Sequence, residues 1–305
     1  MTKKLRFLAL GTAAGGGLPQ WNCGCRNCML ARDRNSGLPP QTQSSLAVSI
    51  DGNSWAILNA SPDIRQQITD NPQLHPKSLR HSPIESVVLT NGDIDHIAGL
   101  LVLREKQSFT LFSTEALGDV LDANPIFRAL DSDFVNRRKI TLDSPFELLP
   151  GLLATLFPVP GKVPLFMENG EVEIGGESEQ TVGVELSAVG RKAFYIPGCA
   201  AMTDSLARRI TAADLLFFDG TLFTDDEMIA TGTGRKTGRR MGHMSISGEG
   251  GSLEALAPLN IGQTVYVHIN NTNPIWLDGP ERDLVRGAGI AIGHDGMEIE
   301  LAASN

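Results

Sequence analysis

Three thiols fall within six residues in Cys23-Gly24-Cys25-Arg26-Asn27-Cys28, beside a Gly-rich stretch, while the fourth cysteine, Cys199, stands far away. Thiolates at this spacing can wrap one Zn²⁺ tetrahedrally if a fourth ligand arrives from elsewhere. In a chain that opens without a signal-peptide pattern, they argue for metal over disulfides. Such a closed site would be structural, pinning a long loop near residues 11–41 that has little core of its own. A second group of chemistry-bearing residues is Thr90-Asn91-Gly92-Asp93-Ile94-Asp95-His96, directly after the apolar run Ile84 to Leu89. A β-branched run that ends in short polar side chains reads as a buried strand delivering carboxylates and an imidazole at its carboxyl end. Asp219 ends a similar run, Leu215 to Phe218, and opens onto Gly220-Thr221. A carboxylate there is costly unless paired, so Asp219 reads as a ligand, as the partner of one, or as a turn aspartate.

The elements that must position these groups alternate along the chain. Strand-like runs lie at Leu5 to Leu10, Ser45 to Ile50 and Trp55 to Asn59, the last two joined by a turn at Asp51-Gly52-Asn53. Further short apolar runs lie at Phe109 to Phe112, Leu152 to Phe157, Val182 to Leu186, Ala193 to Ile196, Leu215 to Phe218 and Val265 to Val267. Helices are expected over Pro62 to Thr69, Ile97 to Glu105, Thr114 to Leu121, Thr203 to Ile210 and Gly250 to Ala257. Ile290 to Ile292 and Met297 to Ile299 flank His294-Asp295-Gly296, a turn signal for a closing hairpin. Mixed sheets covered by helices fit an α/β αββα sandwich, with another layered α/β fold as the alternative.

With 305 residues, 41% hydrophobic and 20% charged, the chain can bury a sizeable core as one domain over 1–305. No apolar stretch approaches the roughly 20 residues needed to cross a bilayer, so no membrane is expected and the location expected is cytoplasmic. A formal net charge of −9 disfavours nucleic acid as a partner. One basic cluster runs against that charge, Arg235-Lys236-Thr237-Gly238-Arg239-Arg240, inside a Gly-, Thr- and Arg-rich stretch too long for a simple connection. It reads as a lid near 222–242 whose Arg235, Lys236, Arg239 and Arg240 clamp carboxylates, or as a solvated charge run.

The order strand, T-x-x-x-x-D-H, helix resembles the metallo-β-lactamase superfamily, whose usual loop is T-H-x-H-x-D-H. That resemblance implies an αββα sandwich of the same type. It places Asn91 and Asp93 where the first two histidines stand, Gly161 at a third, and Gly198 at a bridging aspartate, so the first metal position has lost its ligands. The second keeps Asp95, His96 and, in Val267-His268-Ile269, His268. Two imidazoles and one carboxylate with open positions suit non-haem Fe²⁺ and dioxygen, and also hold catalytic zinc. Asp93 would add a ligand or brace one. The stretch Gly11 to Pro19 followed by Cys23-x-Cys25-x-x-Cys28 is similar to the cyclic phosphodiesterases of phosphonate degradation. There a histidine three residues after the last active-site histidine completes the zinc site. Here that position is Asn271, a weak zinc ligand, which leaves the fourth ligand open.

Of six histidines, His75, His81 and His294 read as surface residues. His243, in Gly242-His243-Met244-Ser245, matches the superfamily's H-x-[ST] position, a proton donor in several branches, and a group of its pKa suits proton transfer beside a metal-bound substrate.

The cysteine loop, the replacement between Asn91 and His96, Met241-Gly242-His243-Met244 and His268-Ile269-Asn270-Asn271-Thr272-Asn273-Pro274 together resemble the pyrroloquinoline quinone biosynthesis protein B family. The resemblance implies work on a precursor made from cross-linked Glu and Tyr. With the triad, it suggests Fe²⁺- and O₂-dependent hydroxylation of the tyrosine-derived ring, a small polycarboxylate substrate for the Arg-rich loop, and other proteins of that pathway as partners. It leaves room for a homodimer. A carrier of the quinone or its precursor, and a hydrolase using one zinc, are the competing readings.

Overall fold

The apolar runs build strands because each has two faces to cover. The computed structural model describes residues 3–168 and 173–304; Met1, Thr2, residues 169–172 and Asn305 lie outside the described part. The strands are β1 (Lys4–Gly11), β2 (Ser45–Ser49), β3 (Trp55–Leu58), β4 (Ile84–Val88), β5 (Phe109–Ser113), β6 (Val135–Lys139) and β7 (Phe146–Leu149). They continue as β8 (Leu152–Gly161), β9 (Gly176–Ala188), β10 (Arg191–Ile196), β11 (Leu215–Asp219), β12 (Thr264–Val267), β13 (Ile290–Ile292) and β14 (Glu298–Ala302). The described residues form two seven-stranded sheets, in the orders β14-β1-β2-β3-β4-β5-β6 and β13-β12-β11-β10-β9-β8-β7.

Alternating side chains of both sheets meet in an inner core that includes Phe7, Val48, Leu58 and Val88 from one sheet and Leu156, Val184 and Phe217 from the other. The Phe7 and Phe217 rings bridge the sheets with centroids 5.5 Å apart. The outer faces carry a second set of apolar residues. Ile57, Val87 and Leu111 pack under Ile64, Ile97 and Leu117, and Phe194, Leu216 and Tyr266 pack under Leu206, Ile210 and Val285. Helix, sheet, sheet, helix is therefore the layering, the αββα sandwich expected, because each strand of the centre is apolar on both sides.

Two local expectations fail for identifiable reasons. In place of a helix over Ile97 to Glu105, one α-turn spans Ile94–Ile97 and a 3₁₀ turn spans Ala98–Leu101. The chain is drawn tight because the Gly99 amide bonds the Ala60 carbonyl at 2.9 Å while the Ala60 amide bonds the His96 carbonyl at 2.8 Å. A Cβ on Gly99 would lie 2.1 Å from the Ser61 carbonyl oxygen. The closing hairpin is also absent: β13 pairs parallel with β12, and β14 pairs antiparallel with β1 in the other sheet. Asp295 explains the crossing, since its carboxylate accepts the Thr12 amide at 3.0 Å and the Thr42 amide at 2.6 Å and so ties the turn to the first sheet.

The turn between β2 and β3 forms as expected, with Asp51 Oδ1 accepting the Asn53 amide at 2.7 Å. β6 and the helix Pro280–Gly287 are mostly polar and gave no apolar run to read. Among the described residues, no helix is long and apolar enough to cross a membrane.

Candidate metal centre

β4 delivers the loop that the sequence singles out. Thr90 is fixed at its start, its amide and hydroxyl bonded to the Asn59 side chain at 2.8 Å each. From there the backbone turns through Asn91, whose Oδ1 accepts the Asp93 amide at 2.9 Å, into the single helical turn that carries Asp95 and His96. His268 comes from the end of β12 with φ +56°, a left-handed conformation that turns its ring back toward the loop. Ligand-capable atoms of Asp95, His96 and His268 all lie within 4.8 Å of one another. His268 Nε2 stands 3.1 Å from Asp95 Oδ2, and His96 Nε2 stands 3.6 Å from it.

His96 carries the strongest sign of a missing partner. It is 1% exposed, and neither ring nitrogen makes a hydrogen bond among the described residues. A buried unpaired imidazole is costly unless something fills the gap, and one carboxylate and two imidazoles facing a common point fit a divalent metal. Burial pushes the His96 pKa down, against the pull of Asp95. Burial also opposes charge on Asp95, but the neighbouring His96 and His268 outweigh it and hold the carboxyl below its ordinary range. At His268 burial is outweighed by the Asp95 hydrogen bond and the surrounding carboxylates, and the pKa rises.

Behind this trio lies a second layer that only partly announced itself. Asp219, fully buried, accepts the Cys199 amide at 2.8 Å and is bonded to His243 Nδ1 at 2.6 Å. Its other oxygen accepts the Thr221 hydroxyl at 2.6 Å, and that hydroxyl lies 2.8 Å from His268 Nδ1. With Thr221 donating to the carboxylate, His268 Nδ1–H donates to Thr221, which leaves His268 Nε2 to donate to Asp95 when it carries a proton and to offer its lone pair to a divalent ion when it does not. Asp219, His243 and His268 also offer atoms within 4.8 Å, so His268 is shared between two trios. Sequence reasoning missed Thr221, whose only signal is its place two residues after Asp219.

The remaining candidates spread around a cavity of about 480 Å³ lined by Asp93, Asp95, His96, His243, His268, Arg235 and Lys236. Asp93 stands outside the metal-competent trio, and its Oδ1 accepts the Leu165 amide at 3.1 Å. Arg235 lines this cavity, whereas Arg239 lines a neighbouring one of about 470 Å³ that shares His243. Arg240 lines neither and turns its guanidinium to Glu168 at 3.1 Å. The segment 222–242, expected to be a lid, contains two short helices, Glu227–Ala230 and Gly238–Met241. His75 and His294 are exposed and His81 is half-buried, as surface residues would be.

The positions emptied of ligands are closed differently. A Cβ on Gly161 would lie 2.4 to 2.7 Å from the Thr181 side chain, so Thr181 fills that place. A Cβ on Gly198 would meet only His243, at 3.6 Å.

In the cysteine loop the sulfurs of Cys23, Cys25 and Cys28 lie within 4.8 Å of one another. The terminal amide of Asn271 lies 3.2, 3.5 and 3.3 Å from them. Burial disfavours a thiolate at Cys23, but the Cys25 amide and the neighbouring hydrogen bonds outweigh it and lower its pKa, whereas burial raises Cys28 to about 11. Three convergent thiols fit a zinc site, while at the fourth corner Asn271 turns its amide nitrogen, a donor, to the sulfurs.

Fold and loop together define a class: the chain is a beta-lactamase superfamily domain, the family description that matches residues 54–269. Within that class it is 68% identical over 300 residues to a coenzyme PQQ synthesis protein B of Rhizobium meliloti, covering 98% of this chain and 99% of that one. The structure of Zn²⁺-bound PqqB from Methylobacterium extorquens superposes with a TM-score of 0.96 at 53% identity, covering 97% of this chain and 100% of that one. The chain belongs to the coenzyme PQQ synthesis protein B family. A diphosphatase from the PhnP family shares the fold, with a TM-score of 0.70 at 20% identity over 98% of this chain and 100% of that one.

Proposed function

We propose that this chain acts in the biosynthesis of pyrroloquinoline quinone by hydroxylating the tyrosine-derived ring of a cross-linked Glu–Tyr precursor, with Fe²⁺ held by Asp95, His96 and His268 and O₂ as the oxidant. The observation that carries the reading is the trio itself, one carboxylate and two imidazoles around a point at which buried His96 has no other partner. A set of three protein ligands leaves positions free, which suits dioxygen chemistry more than two-metal hydrolysis. When bound there, Fe²⁺ supplies the one-electron chemistry that lets a spin-paired ring react with O₂. One oxygen atom enters the ring and the other leaves as water. Carried to the quinone, a phenol and O₂ give an o-quinone and water, so the balance closes without an outside reductant.

The chain's own residues do the rest. Asp219 and Thr221 hold His268 in one tautomer and orient it. Asp219 also takes up His243 Nδ1, so His243 presents Nε2 to the cavity, where it takes the proton that leaves the ring carbon. Asp93 steadies the loop from outside the trio. The segment 222–242 serves as the lid, and Arg235, Arg239 and Arg240 recognise the substrate's carboxylates. The Cys23, Cys25 and Cys28 group takes a structural zinc with Asn271 at its fourth corner. The reaction takes place in the cytoplasm beside other proteins of the same pathway.

Hydrolysis on a single zinc is the second reading, favoured by the zinc-bound state of the similar Methylobacterium extorquens protein. An oxygen electrode separates the two. Fe²⁺-loaded protein should consume O₂ in step with product formation, and zinc-loaded protein should not. Equal turnover under argon, or with zinc alone, would favour hydrolysis, and saturable binding without chemistry would favour a carrier.

A further inference from the structure

Glu168 is surrounded by three cations. Lys162 Nζ lies 3.1 Å from its Oε1, Arg240 Nη2 lies 3.1 Å from Oε2, and Lys236 Nζ lies 3.5 Å from Oε2. The Lys162 and Glu168 side chains are each 11% exposed. Exposed ion pairs contribute little to stability, but charges taken largely out of water have to be balanced. Lys162 balances Glu168 at the nearly buried end, and Arg240 and Lys236, 38% and 41% exposed, add two more positive groups around the same carboxylate in a chain with a formal net charge of −9. The Arg240 hydrogen bond, with Lys162 and Lys236 behind it, holds the Glu168 carboxyl down to about 2, so its charge is present throughout the working range.

The position of this group gives it a use. Lys162 directly follows the end of β8, Lys236 comes from the lid segment, and both line the cavity of Asp95, His96 and His268. Glu168 directly follows a 3₁₀ turn, Leu165–Met167, that contains no buried residue. Among the described residues this turn is held by the Leu165 amide on Asp93 and by the ion pairs of Glu168. Among the described residues of this turn, moving Glu168 costs ion pairs and little packing, and ion pairs are what an incoming carboxylate replaces.

We propose that Lys162 and Lys236, which line the cavity, and Arg240 behind them form a carboxylate-binding subsite at its edge and that Glu168 is its internal occupant, displaced when a carboxylate of the substrate enters. The inference rests on the polycarboxylate substrate proposed above and adds Lys162, Lys236 and Glu168 to the residues proposed there to select it. The probe is benzene-1,3,5-tricarboxylate, titrated calorimetrically into the zinc-loaded full chain at low and high salt, with the corresponding triamide as an uncharged control. Glu168→Gln should bind the tricarboxylate about tenfold more tightly and Lys162→Gln about tenfold more weakly, the size expected for making or breaking one charge-assisted hydrogen bond. If Lys162→Gln does not fold, the half-exposed Lys236→Gln takes its place in the comparison. Unchanged or weaker binding by Glu168→Gln would overturn the proposal and make Glu168 a strap, as would triamide binding equal to that of the tricarboxylate. If the tricarboxylate behaves as expected while the cross-linked precursor is not turned over under O₂, the subsite stands and the proposed reaction falls. If the precursor is turned over while Glu168→Gln fails to tighten binding, the reaction stands and the subsite falls.

Discussion

Thr221→Val removes one hydroxyl, nearly preserves side-chain volume, and cuts the connection between Asp219 and His268. The lost donor bond to Asp219 is 2.6 Å long and charge-assisted, and the lost acceptor leaves His268 Nδ1–H unpaired in a residue only 6% exposed. Asp219 keeps the Thr221 amide at 3.0 Å, the Cys199 amide at 2.8 Å and His243, so its charge remains compensated. One charge-assisted bond and one stranded donor should cost about 2–3 kcal/mol of folding stability in metal-free protein. The larger effect falls on the metal: freeing the ring to rotate or change tautomer should lower affinity at Asp95, His96 and His268 about 10- to 100-fold. Urea denaturation measures the first quantity and competition with a zinc chelator the second, with metal content of the cysteine loop as the internal control. Affinity within about twofold of the parent in a folded variant would refute the idea that Thr221 sets the His268 tautomer.

Cys25→Ala should lose the tightly held zinc and unfold at a lower temperature while keeping the exchangeable site; loss of the exchangeable metal alone from a fully stable variant would reverse the assignment. Gly161→His should destabilise the fold instead of restoring a second active-site metal, because its Cβ would lie 2.4 to 2.7 Å from Thr181; metal analysis showing two active-site ions would contradict this. Burial raises the pKa of Glu227, bonded to Thr272 and the Phe223 amide, to about 7, so the folded chain holds a proton that the unfolded chain releases near its ordinary pKa of about 4.3. Its stabilising contribution is therefore complete below about pH 4 and lost as pH rises through 7; Glu227→Gln should flatten that slope in melts across pH 4 to 9, on the order of 3–4 kcal/mol in all. An unchanged slope would mean that some other group sets it.

Much of the site was legible because its chemistry is local. Asp95 and His96 follow a buried strand within a few residues, and the three thiols lie within six, so type and spacing sufficed. His268 and Asn271 needed the resemblance, since β12 brings them to residues far away in sequence. What stayed hidden depends on contacts that no periodicity records. Thr221 bonds two partners, one of them 47 residues away, and Lys162 meets Glu168 across a turn of the chain. The closing strands were placed correctly but assigned to one hairpin, because a Gly-containing turn signals a reversal without saying which sheet receives the next strand. Asp295, by capturing amides of Thr12 and Thr42 more than 250 residues away, decides that. The helix after His96 failed for a similar reason, its geometry being set by the backbone of Ala60.

The proposed reaction stands or falls on whether the trio of Asp95, His96 and His268 directs an atom of dioxygen into the substrate ring. Mass spectrometry of the product formed by anaerobically purified, Fe²⁺-loaded protein from the cross-linked Glu–Tyr precursor under ¹⁸O₂ decides it. The expected product carries ¹⁸O in the ring; the label should disappear in His96→Ala and His268→Ala together with the exchangeable metal, and His243→Ala should turn over slowly with its metal retained. Product whose new oxygen comes from water, or which forms at the same rate without O₂, would rule the reaction out.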